Sequence, residues 1–226
     1  DIFKYLHEME LKYPIREDFL KNHKSTFQMR AILVNWLIPV HEHFRLCPET
    51  LHMCISLTDR YLQDNTQVGR DTLQLVGTSA LMIACKYEEI FYPELQDFKS
   101  LCDNCFSTEE ILKMEISILT ALQYNLGKPL PIHFLKRYSR LADVKLEQHN
   151  LSKYLLELAL LDHNVSHVRP SLQAAAACCL SIAIFRNASC PSKVWTTRLA
   201  QYSNCQYSAF EHVVVKFARL LIAAES

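Results

Sequence analysis

Glycine is nearly absent. The chain has three in 226 residues, against a usual share of roughly 7%. Tight hairpins and phosphate-cradling loops lean on glycine, so both are nearly excluded. Excess charge of either sign is missing too: Lys and Arg total 24, Asp and Glu total 24. A nucleic-acid binder is usually basic, so the balance argues against one. The single basic cluster, "FLKRYSR" (134–140), reads as a solvated helix face. No apolar run is long enough to span a bilayer, and no signal peptide is present. The first residues already read as helix, so no disordered N-terminal tail is expected within this chain.

The nine cysteines are odd in number and irregularly spaced, unlike a disulfide framework. Cys85, Cys178 and Cys179 stand in apolar helical stretches and read as small buried hydrophobes in a reducing compartment. Cys102 and Cys105 form a C-x-x-C, but a zinc site needs about four ligands and no second close Cys/His pair accompanies them. Enzymatic signatures are lacking as well: there is no H-E-x-x-H, P-loop or nucleophile motif. His133 and His149 stand singly on helices, and His41 and His43 are two apart, a spacing that does not aim both at one ligand. The expectation is a protein without catalytic groups, cofactor or metal.

What the chain does have is apolar residues, half of its total, enough for a sizeable core. Their spacing is helical almost throughout. Segment 1–13 places Ile2, Phe3, Leu6, Met9 and Tyr13 on one side, and 14–26 reads as a connecting loop. Helices follow from Met29, from Pro48 (proline suits a first turn), over 72–91, over 93–102, and from Ser107-Thr108, where a hydroxyl can cap the N-terminus. "NLGKPLP" (125–131) packs a glycine and two prolines into seven residues and is the best boundary. Helical segments resume over 131–142, 146–163, 171–185, 191–203 and 208–224, and no alternating stretch reads as a strand.

The halves echo each other. Gly77, Thr78, Ser79, Ala80 and Ala84 make one helix of small residues; Ala174 to Ala177 and Ser181 make another. Asn104-Cys105 and Asn204-Cys205 recur after the next short helix. The expected architecture is all-α: two five-helix repeats over 27–127 and 128–226, preceded by an N-terminal helix and loop in 1–26. Small residues let neighbours pack on all sides, so each small-residue helix is expected at a bundle centre. Lys86 ends the first of them, either where the helix emerges into solvent or at a surface that becomes an interface.

"MRAILVNWL", "LTDRYL", "LQLVGTSALMIACKYEEIF" and "LKMEISIL" resemble the cyclin box, in its order. "LGKPLPIHFLKRYS" and "LEQHNLSKYLLELALLD" are similar to the second repeat of B-type, mitotic cyclins. The resemblance implies a regulatory subunit that binds and activates a cyclin-dependent protein kinase at G2/M, in cytoplasm and nucleus. It implies docking peptides as further partners, with no nucleic acid and no membrane. A helical adaptor, or a transcription-factor-type double cyclin fold without kinase activation, is the alternative. By resemblance, Arg30 pairs with Asp59 inside the first box. Lys86 and Glu115 face the kinase, with Ile83, Tyr87, Glu89, Tyr124 and Leu126 around them, and both should be partly accessible in the free chain.

The resemblance also maps a docking patch for Arg-x-Leu peptides to Met29, Ile32, Leu33, Trp36, Leu73 and Gln74. The first four lie at i, i+3, i+4, i+7, one helix face, which periodicity alone would assign to core. Asn35 replaces the aspartate common in the family, and Pro39 stands where relatives often carry a glutamate that meets the peptide's arginine. Pro39 lacks an N–H and crowds the carbonyl of Asn35. The helix is therefore expected to kink there, or to break and restart, with weaker arginine preference in the patch.

Overall fold

The structure, a computed structural model, describes residues 2–225, and among these every regular element is helical. The chain forms two compact units.

One unit spans residues 15–127. It contains α2 (Phe27–His43), α3 (Pro48–Leu62), α4 (Arg70–Glu88), α5 (Leu95–Leu101) and α6 (Thr108–Ala121). Thr26 opens α2, its hydroxyl accepting from Met29 N–H at 3.2 Å. Pro48 supplies the first turn of α3. Ser107 and Glu110 make a reciprocal capping box on α6: the Glu110 carboxylate accepts from Ser107 N–H at 2.8 Å, and Glu110 N–H donates to Ser107 Oγ at 3.2 Å. At the centre lies α4, packed on α2, α3 and α6 and buried from Leu75 to Cys85. Gly77 explains the approach of α2: a Cβ there would stand 2.7 Å from Leu33 Cδ1.

The other unit joins the chain up to Pro14 with the chain from Lys128 onward. It contains α1 (Ile2–Lys12), α7 (Pro131–Leu141), α8 (Leu146–Leu161), the single turn α9 (His163–Ser166), α10 (Pro170–Phe185), α11 (Thr197–Ser203) and α12 (Glu211–Glu225). Here α10 is central, packed by α7, α8, α12 and α1, with Ala174 to Ala177 wholly buried. Its N-terminus is capped from a distant part of the chain. Pro170 has no N–H, so Ser171 offers the first free donor. Glu10 on α1, 2% exposed, accepts Ser171 N–H at 2.9 Å and Ser171 Oγ at 2.7 Å, with His7 Nδ1 at 3.0 Å. A carboxylate at a helix N-terminus is favourably placed.

Several expectations change in detail. The expected leading segment 1–26 divides at Pro14, because Ile15, Phe19 and Leu20 are buried in the first bundle. The second small-residue helix does end where expected, but α4 stops at Glu88, leaving Ile90 and Phe91 outside it and exposed. Segment 191–203 splits into a 3-10 turn, Pro191–Val194, and α11. α2 runs unbroken through Pro39, so the expected break and restart does not occur. Pro39 and Asn35 both lie on the solvent side, where water can satisfy the carbonyl that loses its donor. The Asn-Cys echo has a backbone cause: Asn104 and Asn204 both adopt positive φ, 58° and 52°, just past a short helix. Asparagine tolerates that region better than most residues.

Six of the nine cysteines are buried. Burial pushes the Cys85, Cys178 and Cys179 thiols up to about 12. Cys102 is buried, its sulfur 3.1 Å from Thr78 Oγ1, while Cys105 is exposed.

Candidate functional site

Arg30 and Asp59 join α2 to α3 from inside the first bundle. Arg30 Nε donates to Asp59 Oδ1 at 2.6 Å and Nη2 to Oδ2 at 2.7 Å, with both residues at 2% exposure or less. Planar guanidinium and carboxylate meet in a fork, which allows an arginine to sit inside an apolar helix. The pair is enclosed, tying α2 to α3 within the bundle.

Lys86 leaves the core at the last turn of α4, and Glu115 stands beside it on α6. Lys86 Nζ donates to Glu115 Oε1 at 2.6 Å, with the side chains 40% and 12% exposed. Exposed apolar side chains adjoin them in the chain. Tyr87 and Tyr124 are exposed, as are Leu112 and Ile116 on α6 and Ile90 and Phe91 beyond α4. Leu126 is half-buried. Two of the expected neighbours stand elsewhere. Ile83 is only 3% exposed, packed beneath the surface. Glu89 turns inward: its Oε1 accepts from Cys47 N–H at 2.7 Å and from the Thr50 hydroxyl, capping α3. The sequence reading missed Leu112, Ile116, Ile90 and Phe91. A signal existed on α6, which carries Ile111, Leu112, Met114, Ile116, Ile118 and Leu119 but buries only Ile111 and Ile118. That is more apolar surface than one buried stripe needs.

A second feature of the same bundle is a cleft of about 520 Å³ between α2 and α4. It is lined by Met29, Ile32, Leu33, Trp36, Leu73 and Gln74, with Arg70 at the start of α4. The spacing that alone suggested core therefore does two jobs. Leu33 and Leu73 are buried and form the floor, while Ile32 is 70% exposed and Met29 and Trp36 are half-buried. Arg70 was not foreseen; its place in the cleft depends on how α4 begins against α2.

In the second unit, the basic cluster is divided among roles. Lys136 and Arg140 are exposed, whereas the Arg137 guanidinium stacks 4.0 Å over the Phe3 ring. Among the described residues, no three His, Cys, Asp or Glu side chains gather as a metal site, and no helix is long and apolar enough to cross a membrane.

Comparison with known proteins places these surfaces in context. The family description "Cyclin, N-terminal domain" matches residues 1–127, and "Cyclin, C-terminal domain" matches 129–226. The chain is 41% identical to G2/mitotic-specific cyclin-B2 of Oryzias luzonensis, over 98% of this chain and 56% of that protein. It is 49% identical to G2/mitotic-specific cyclin-B2 of Homo sapiens, over 80% of this chain and 45% of that one. The chain thus spans about half the length of the curated relatives it matches. In fold it is similar to a viral cyclin from Herpesvirus saimiri, with a TM-score of 0.83 at 22% identity over 97% of this chain and 96% of that one. Matched by cyclin domains along both halves, the chain belongs to the cyclin family.

Proposed function

We propose that the chain is the activating subunit of a cyclin-dependent protein kinase at G2/M, contributing no catalytic group of its own. The observation that carries this reading is the Lys86–Glu115 pair with exposed apolar side chains beside it in the chain. The pair leaves Lys86 with spare N–H donors and Glu115 with spare acceptor sites. Both can meet backbone groups of a partner helix while Tyr87, Tyr124 and Leu126 exclude water around them. Ile83 supports this face from beneath, and Glu89 acts through α3. Docking holds the kinase's glutamate-bearing helix inward, so that its glutamate meets the ATP-binding lysine and the activation loop opens. The name of the relatives, G2/mitotic-specific cyclin-B2, supports the stage. The cytoplasm and nucleus are the expected compartments.

The α2–α4 cleft is a second binding surface, for short peptides of substrates or inhibitors, with a leucine seated on Met29, Ile32, Leu33, Trp36, Leu73 and Gln74. The test is a pull-down against a panel of cyclin-dependent kinases, read by histone phosphorylation. Lys86→Ala with Glu115→Ala is expected to lose activation by about ten-fold or more, the effect of truncating a central interface pair, with melting unchanged. Kinase binding that survives while melting collapses would make both residues internal and put the interface elsewhere.

A further inference from the structure

The α2–α4 cleft contains one charged side chain, Arg70, among otherwise apolar lining and Gln74. Arg70 is exposed at the start of α4, free to turn toward a ligand. No carboxylate lines the cleft. The edge of α2 beyond the half-buried Met29 and Trp36 exposes Ile32, Pro39 and His43, an uncharged ring followed by an imidazole. Arg30 on the same helix is neutralised by Asp59. The flanking carboxylates Glu42 and Asp71 are exposed and stand outside the lining. The one charge that lines the cleft is therefore positive.

We infer that Arg70 makes this cleft select peptides in which an acidic side chain flanks the docked leucine. The inference rests on the cleft being a peptide-docking site. Its chemistry is a fork between the Arg70 guanidinium and a peptide carboxylate. A peptide arginine at the same place meets like charge. This goes further than weakened arginine preference, because it reverses the sign of the selected charge and names the side chain responsible.

The experiment is fluorescence anisotropy with the full chain and labelled peptides identical except for one residue. That residue is Glu, Ala or Arg, placed two positions before or two after the leucine. In low salt, the better glutamate peptide is expected to bind roughly three-fold tighter than its alanine counterpart, the scale of an exposed ion pair, and the arginine peptide more weakly than alanine. Raising the salt shrinks the spread. Arg70→Glu inverts the order, and Ile32→Ala, at an exposed position, weakens every peptide. Binding that depends on Ile32 but ignores charge, favours arginine, or keeps its order in Arg70→Glu overturns the role of Arg70 and leaves the docking reading standing. Absence of binding, or binding indifferent to Ile32→Ala, overturns both.

Discussion

A buried guanidinium is tolerable only while its carboxylate is in place. Arg30→Ala leaves Asp59 charged in a core where it is 2% exposed, and Asp59→Asn leaves Arg30 without its counter-charge. Each is expected to cost about 3–5 kcal/mol. Replacing both, Arg30→Met with Asp59→Leu, should cost far less than the two single changes together, because no charge is stranded. Denaturant unfolding of the four proteins checks this, and strictly additive losses would refute it. His23 gives a residue-scale effect of pH. Its Nδ1 accepts from Ser25 N–H at 2.8 Å, and its Nε2 donates to the Asn65 carbonyl at 3.0 Å, which fixes the neutral ring. Burial holds its pKa below the usual 6.5. The unfolded chain therefore takes up this proton first, and stability present in full above pH 6.5 is lost as pH falls through the folded-state value. His23→Gln should flatten the fall in stability between neutral and mildly acidic pH, with the wild-type ring titrating below 6.5 by NMR. A wild-type ring titrating above 6.5 would reverse the sign and refute the account.

At the scale of elements, helix interiors were legible and helix ends were less so. The periodicity of α4 and α10 and the hydroxyl caps of α2 and α6 are local properties that a sequence carries openly. The ends depend on tertiary partners. α4 stops at Glu88 as Glu89 turns to cap α3, and that partner is 42 residues away in the chain. Of the two outcomes expected at Pro39, a kink or a break, the break does not occur, because the cost of an interior proline falls where the orphaned carbonyl faces water. Gly77 was legible as a small residue but not as a contact. Alanine is the better helix former by roughly 1 kcal/mol, yet its methyl would press into Leu33. Gly77→Ala is expected to destabilise by about 1–3 kcal/mol through overpacking, and to weaken peptide binding because Leu33 floors the cleft. Thermal melting of Gly77→Ala, Leu33→Ala and the double variant decides it. The double variant should be more stable than the sum of the single losses, and simple additivity would mean that α2 shifts freely.

At the scale of the whole molecule, the sequence spoke clearly of two repeats and less clearly of where each side chain serves. Lys86 stood out by its place at the end of a buried helix, but Glu115 and the pairing came from resemblance, since no local pattern pairs residues on α4 and α6. Arg70 and Glu10 were invisible for the same reason: each takes its role from a helix remote in sequence. Glu10 is the extreme case, capping α10 from 161 residues away. Helix α1 begins the chain, yet it belongs to the unit formed by the chain's second half. Glu10 is buried, and its carboxylate holds two groups of Ser171 at the positive end of a sixteen-residue helix. Glu10→Ala strands the Ser171 N–H and loosens α1, at an expected cost of about 1–3 kcal/mol. Glu10→Gln keeps the acceptor for one of the two donors and should lose less, because the charge term with the helix end is the part removed. Hydrogen exchange locates the loss: protection should fall in α1 and the first turns of α10 and stay unchanged in α4, which belongs to the other unit. Equal loss in α4 and α10, or Glu10→Gln as damaging as Glu10→Ala, would show that the carboxylate acts through something other than this cap.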